Sequence, residues 1–282
     1  MFTTLISASE LAARLGAPQL VILDCRHDLV DHSAGRTGYN VGHIPGAVFI
    51  EMEHQASGPR RAADGSFRGR HPLPEKTDFL AVLRNAGVND DSQVVVYDAQ
   101  GGMFAARVWW MLRWLGHSAV AVLDGGLAAW QAAGQPMTAA EPHPAQGHLN
   151  LRAPLVESVD AAMVLANVQS QARLVVDARA PDRFRGENET LDPVGGHIPG
   201  ARNRFFRENL EADGRFKSPA QLRAEWSAIV GDEAAHLIMQ CGSGVTACHN
   251  LLALEVAGLR GAALYPGSWS EWCADPARPV AR

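Results

Sequence analysis

The chain has 282 residues, 47% of them hydrophobic, and a formal charge of -5; this exceeds what one core usually holds, so two domains of ordinary size are expected. The acidic balance argues against nucleic acid or an anionic membrane as the main partner and favours a small-molecule substrate. Four cysteines without regular spacing make neither a disulfide framework nor a paired-cysteine zinc site, and Met1 to Glu10 lacks the basic and long apolar regions of a signal peptide, so a soluble protein of the reducing cytoplasm is expected.

In chain order, Ser7-Ala8-Ser9-Glu10-Leu11 reads as a capped helix start,. Val21-Ile22-Leu23-Asp24-Cys25-Arg26 is an apolar run ending in Asp-x-Arg, followed by Gly42-His43-Ile44-Pro45-Gly46-Ala47. Gln93-Val94-Val95-Val96-Tyr97 precedes a helical pattern over Ala105 to Leu112, and Gly125-Gly126-Leu127-Ala128-Ala129-Trp130 closes the series. After a Pro- and Gly-punctuated stretch the signals return in the same order. Ser158-Val159-Asp160-Ala161-Ala162 reads as a helix start, Leu174-Val175-Val176-Asp177-Ala178-Arg179 as the Asp-x-Arg run, and Gly196-His197-Ile198-Pro199-Gly200-Ala201 as the glycine motif. Leu237-Ile238-Met239-Gln240 and Gly267-Ser268-Trp269-Ser270-Glu271-Trp272 complete the second set.

The repetition implies a tandem duplication: domains at 1–135 and 157–282, joined by a linker at 136–156 with its boundary near residue 145,. Alternating apolar runs and helical patterns give an α/β fold in each half, a mainly parallel sheet flanked by helices, with ligands expected at the carboxyl ends of the strands. Trp269 and Trp272, at helical spacing, are expected in the core.

Cys241 stands at such a strand end, before the helical run Asn250 to Glu255. Gly242, Ser243, Gly244, Val245, Thr246 and Ala247 follow it, a composition that packs poorly but lets backbone N–H groups converge on an anion and favour a thiolate,. Cys25, Cys248 and Cys273 read as buried small residues. Aligning the halves sets Asp98 opposite Cys241, so one nucleophile per chain is expected, with the first half a structural wall of the cleft. A cysteine phosphatase would need an arginine six residues after the cysteine, where Ala247 stands,.

Taken together, the two Gly-His-Ile-Pro-Gly-Ala motifs, the Asp-x-Arg strand ends, Gly267 to Trp272 and the Cys241 loop resemble the two-domain rhodanese family of sulfurtransferases, specifically its 3-mercaptopyruvate branch. The resemblance covers nearly the whole chain. It implies a rhodanese fold in each half and a persulfide on Cys241 of the C-terminal domain. Members that use thiosulfate typically carry two cations just after the cysteine, where this chain has Gly242 and Ser243, so 3-mercaptopyruvate ranks first as donor. Thiosulfate:cyanide transfer and a non-catalytic sulfur-carrier or binding module are the alternatives.

Arg183 matches the family's substrate-binding arginine, with a surface or interdomain charge as the bland reading. The family's mercaptopyruvate enzymes commonly carry another arginine just before the second glycine motif, where Glu187, Glu189 and Asp192 stand instead. Arg185 is the candidate to compensate, and a different thiol donor is the other reading. By the resemblance His43 would join a relay with Ser243, itself expected to polarise the donor; the alternative is that His43 and His197 both stabilise turns. Cys241 would pass its outer sulfur to an acceptor thiol, thioredoxin or cyanide, and no metal or organic cofactor is expected.

Overall fold

The Val/Ile/Leu runs form two parallel sheets in the computed structural model, which describes residues 1–282. In the first half β1 (Leu5–Ile6), β2 (Leu20–Asp24), β3 (Ala47–Phe49), β4 (Gln93–Tyr97) and β5 (Val120–Leu123) alternate with α1 (Ala8–Ala12), α2 (Ala34–Val41), α3 (Lys76–Asn85), α4 (Ala105–Trp114) and α5 (Gly126–Ala132). In the second half the strands are β6 (Glu157–Ser158), β7 (Leu174–Asp177), β8 (Arg202–Asn203), β9 (Leu237–Gln240) and β10 (Ala263–Leu264). Their helices are α6 (Ala161–Ser170), α7 (Pro181–Phe184), α8 (Pro219–Val230), α9 (Thr246–Val256) and α10 (Ser268–Trp272), with a 3-10 turn at Phe206–Asn209. The sheet orders are β1-β5-β4-β2-β3 and β6-β10-β9-β7-β8, the same topology twice. No helix is long and apolar enough to cross a membrane.

The chain divides into two compact units that do not follow the two halves of the sequence. The first comprises residues 1–58, 74–155 and 211–216; the second comprises 59–73, 156–210 and 217–282. Each half therefore lends a short arm, lying after its β3 or β8 strand, to the unit built mainly from the other. Residues 136–156 carry neither helix nor strand. Gly147, Arg152 and Leu155 donate their N–H groups to Arg84 O (2.8 Å), Leu115 O (3.0 Å) and Arg113 O (3.0 Å), which pins this stretch along the first unit.

The inner strands β2, β4, β7 and β9 are apolar on both faces because helices cover both sides of a parallel sheet. Ile22, Val95, Leu123 and Trp130 pack with Ile44 in the first core, and Val175, Ile238, Trp269 and Trp272 with Ile198 in the second. Ile44 and Ile198 are fully buried at the same place in the two glycine motifs. Around each motif the polar groups also repeat. Arg26 grips Asp24 through Nε and Nη2 and donates to Gly42 O (2.8 Å). Arg179 grips Asp177 in the same way and donates to Gly196 O (2.7 Å).

These contacts decide the role of the two motif histidines. His43 stacks on Tyr39 with centroids 3.8 Å apart, holds Tyr39 O at 2.8 Å through Nδ1, and has Nε2 3.2 Å from Ala140 O. His197 stacks on Phe184 at 3.8 Å and holds Phe184 O at 2.9 Å. Both serve their turns, so the expected pairing of His43 with Ser243 is corrected: both ring nitrogens of His43 face carbonyls of its own unit. Both helix starts fall within the segments expected: Ser7 caps α1, and Asp160 caps α6, accepting from Met163 N–H at 2.8 Å.

Candidate active site

Strand β9 delivers Cys241 to the carboxyl end of the second sheet, and α9 starts five residues later. The cysteine is 2% exposed, held by a second turn of chain. Its N–H donates to Ser268 Oγ (3.0 Å), while its carbonyl and that of Gly242 accept from Trp269 N–H (3.0 Å) and Ser270 N–H (2.9 Å). The N–H groups of Gly242, Ser243, Val245, Thr246 and Ala247 donate to no acceptor in the protein. A helix start with unclaimed N–H groups favours negative charge.

The first unit shows what such a loop holds. Asp98, one residue past β4 as Cys241 is one past β9, accepts from Gln100 and Gly102 N–H at Oδ1 (2.9 Å each) and from Phe104 and Ala105 N–H at Oδ2 (2.8 and 2.9 Å). Complete burial pushes this carboxyl up, and the four N–H groups pull it the other way. Asp98 O also takes Leu127 N–H (2.8 Å), as Cys241 O takes Trp269 N–H, so the two loops match atom for atom at their base. In the first unit the loop encloses its own carboxyl group. Of the other cysteines, burial raises the Cys25 thiol well above its ordinary value and the Cys273 thiol to about 11, and Cys248 is bonded to Gly244 O (3.3 Å).

Ser243 Oγ lies 2.8 Å from His71 Nδ1, and both residues are buried. His71 is on the 59–73 arm, which belongs to the second unit. The expectation that the first half acts only as a wall is therefore corrected, because its arm supplies side chains to the Cys241 loop. No local signal marks His71; the hint is the arginine density of the arm, with Arg60, Arg61, Arg68 and Arg70 beside it.

Arg183, from α7, pairs with Glu189 through Nε (3.1 Å) and Nη2 (2.8 and 2.9 Å) and lies 3.4 Å from Asp192. Asp192 also pairs with Arg70, and Arg179 Nη1 is 3.4 Å from Glu189. Glu189 and Asp192, two of the three acids that stand in place of an arginine before the second glycine motif, thus balance three guanidinium groups. A Cβ placed on Gly242 would lie 2.7 Å from Arg70 Nη2 and 3.7 Å from Arg183 Nη1, so both cations border the loop. The loop is neutral in its own side chains but not in its surroundings. Arg185 does not join this cluster: its fork is taken by Glu187 (2.8 Å at both contacts) among exposed groups, which removes it as the compensating base.

The only metal-like grouping of side chains is in the first unit, where His27, His32 and Glu53 bring ligand atoms within 4.8 Å of one another. His27 Nε2 is 3.5 Å and His32 Nε2 4.0 Å from Glu53 Oε1. These separations place two histidine nitrogens beside one carboxylate oxygen.

Comparison with known proteins agrees with this architecture. The rhodanese-like domain family matches residues 7–133 and 160–275. The protein named "Probable 3-mercaptopyruvate sulfurtransferase" from Pseudomonas aeruginosa is 48% identical over 279 residues, covering 98% of this chain and 97% of its own. The thiosulfate sulfurtransferase of Mus musculus is 37% identical over 96% of this chain and 92% of its own. The crystal structure of a 3-mercaptopyruvate sulfotransferase from Escherichia coli superposes with a TM-score of 0.81 at 32% identity, covering 95% of this chain and all of that one.

Proposed function

The chain belongs to the rhodanese-like family, and from that premise we propose that it is a sulfurtransferase which takes sulfur from 3-mercaptopyruvate onto Cys241 and passes it to a thiol, thioredoxin or cyanide. The Cys241 thiolate attacks the donor sulfur. An S–S bond forms, the C–S bond breaks, and its electron pair leaves as the enolate of pyruvate, which takes up a proton to give pyruvate. The unclaimed N–H groups of Gly242, Ser243, Val245, Thr246 and Ala247 hold the charge that develops, and Arg183 holds the carboxylate. An acceptor thiolate then attacks the outer sulfur of the persulfide and releases Cys241 as thiolate; cyanide does the same to give thiocyanate.

One observation carries the choice of donor: the hydrogen bond between Ser243 and His71 beside Cys241. Thiosulfate would leave behind sulfite, a stable anion that needs no acid. Mercaptopyruvate leaves behind an enolate, and a hydroxyl backed by an imidazole can polarise its oxygen and deliver the proton. Relatives of this chain carry both donor names, so kcat/KM for the two donors is the deciding measurement. Intact mass spectrometry after incubation with 3-mercaptopyruvate should show a gain of about 32 Da on Cys241 that a thiol discharges. Cys241→Ser should give no gain and no turnover while unfolding at the wild-type temperature. Wild-type turnover in that variant would refute the mechanism.

A further inference from the structure

His27 and Glu53 follow the carboxyl ends of neighbouring strands, β2 and β3, which pair in parallel with Asp24 opposite Phe49. The register brings the two segments together at the end of the first sheet, the edge at which parallel sheets gather ligands. His32 arrives by a turn. In His27-Asp28-Leu29-Val30-Asp31-His32, Asp28 Oδ1 accepts the N–H groups of Val30 (2.8 Å) and Asp31 (2.9 Å), which folds the second histidine back beside the first. The two rings end with centroids 5.3 Å apart and planes tilted by 38°. All three residues belong to the first unit.

Their donor atoms converge. His27 Nε2 and His32 Nε2 are 3.5 and 4.0 Å from Glu53 Oε1, and all three atoms lie within 4.8 Å of one another. A tetrahedral zinc ion with bonds of about 2.0–2.1 Å sets its ligand atoms roughly 3.3 Å apart, so His27 and Glu53 are already spaced for it and His32 has only to draw inward. Burial suits that division. The side chains of His27 and Glu53 are 3% and 9% exposed, whereas that of His32 is 49% exposed. Two ligands are held by the protein and the adjustable one faces solvent, which leaves a fourth position for water. Two imidazoles and one carboxylate form a donor set that suits zinc and its transition-metal neighbours better than magnesium or calcium.

Groups that serve the fold repeat between the halves, as the Asp24–Arg26 and Asp177–Arg179 pairs do. This cluster does not repeat. Ala180 follows Arg179 where His27 follows Arg26, and Arg207 stands four residues past Asn203 as Glu53 stands four past Phe49, the two strand residues being matched by their pairing with Asp177 and Asp24. The grouping therefore belongs to the half that lacks the nucleophile. Its Asp98 loop supports the buried histidine: Gln100 Nε2 donates to His27 O (3.1 Å), and the Phe104 ring meets the His27 ring edge-on at 5.1 Å.

We propose that His27, His32 and Glu53 bind a divalent cation of the zinc class in the first unit, with water in the fourth position. The site uses no cysteine and is assembled by strand register and one turn, so the absence of a paired-cysteine spacing does not bear on it. It revises the expectation of no metal for the chain, while no step of the sulfur transfer proposed at Cys241 draws on it.

Titration calorimetry with zinc chloride on the full chain, after chelator treatment and dialysis, tests the site in the Cys241→Ser background, where no loop thiolate competes. One equivalent of zinc should bind and should raise the unfolding temperature as its concentration rises; magnesium should do neither. His32→Ala removes one donor from an exposed position, and Glu53→Gln keeps the shape of the side chain without its charge. Each should weaken zinc binding at least tenfold, the least that loss of a ligand's supporting partner costs, and the double variant should show no rise in unfolding temperature. Failure of zinc to bind, or binding that either single variant leaves unchanged, would overturn the assignment.

Discussion

Ser268 holds φ 54° although it carries a side chain, and its counterpart in the first unit is Gly126 at φ 57°. The hydroxyl explains the exception. Ser268 Oγ accepts Cys241 N–H (3.0 Å) and donates to Tyr265 O (2.8 Å) inside a fully buried turn. Glycine would be easier for the backbone but would leave that N–H unpaired. Ser268→Ala should therefore destabilise by about 1–3 kcal/mol, because it loses the bond and keeps the unfavourable φ. Ser268→Gly should cost less, since relief of the backbone offsets part of the loss; urea unfolding of both variants checks the order. Cys241 was legible from its own neighbours, a strand, glycines and a helix start. The role of Ser268 was not, because it depends on a contact between turns that only folding brings together.

The duplicated motifs were legible at the level of strands because Asp-x-Arg and Gly-His-Ile-Pro-Gly-Ala each fix a strand end or turn by local bonding. The first helix was legible for the same reason. Ser7 and Glu10 form a capping box, with Glu10 N–H on Ser7 Oγ (3.3 Å) and Ser7 N–H on Glu10 Oε2 (3.0 Å),. In its repeat Ser158 lies in β6, paired with β10, and Asp160 of the same segment caps α6. The box also sets a pH dependence. Hydrogen bonds from the Ser7 side chain and then its backbone hold Glu10 below its ordinary value of 4.5. A carboxyl lowered by folding contributes fully above the unfolded value and loses that contribution as pH falls through the folded value. Wild type should therefore lose slightly more stability than Glu10→Gln on acidification below pH 4.5, as measured by urea midpoints across that range. Parallel curves for the two proteins would remove the box from the account.

For the whole molecule, topology followed from the order of the motifs, whereas the exchange of arms did not. Residues 59–73 have no apolar periodicity, and nothing in their composition says which sheet they join. That is why Arg70 and His71 escaped notice beside the Cys241 loop, whereas Arg183 was singled out only by the family resemblance. The exchange also gives the arm its own test in the intact chain. Gly69→Ala keeps every polar group but sets a Cβ against Gly267 O at 2.8 Å with φ still at +100°. The arm should shift off the loop, lowering kcat/KM for mercaptopyruvate by roughly tenfold or more, since small misplacements of positioning groups are expensive. Full activity in Gly69→Ala would show that the arm's approach to Gly267 is incidental.

The carboxylate of Asp98 has a thermodynamic consequence. In the first unit four loop N–H groups are satisfied at all times by a residue of the same loop, each such bond contributing on the order of 1 kcal/mol. Cysteine in the equivalent position forgoes that contribution so that the loop can accept an anion from outside. The first loop is locked by its own counterion and the second is left exchangeable, and the energy given up in folding is recovered only when a ligand arrives. On this view a single aspartate side chain fills the first loop, where the second keeps a cysteine.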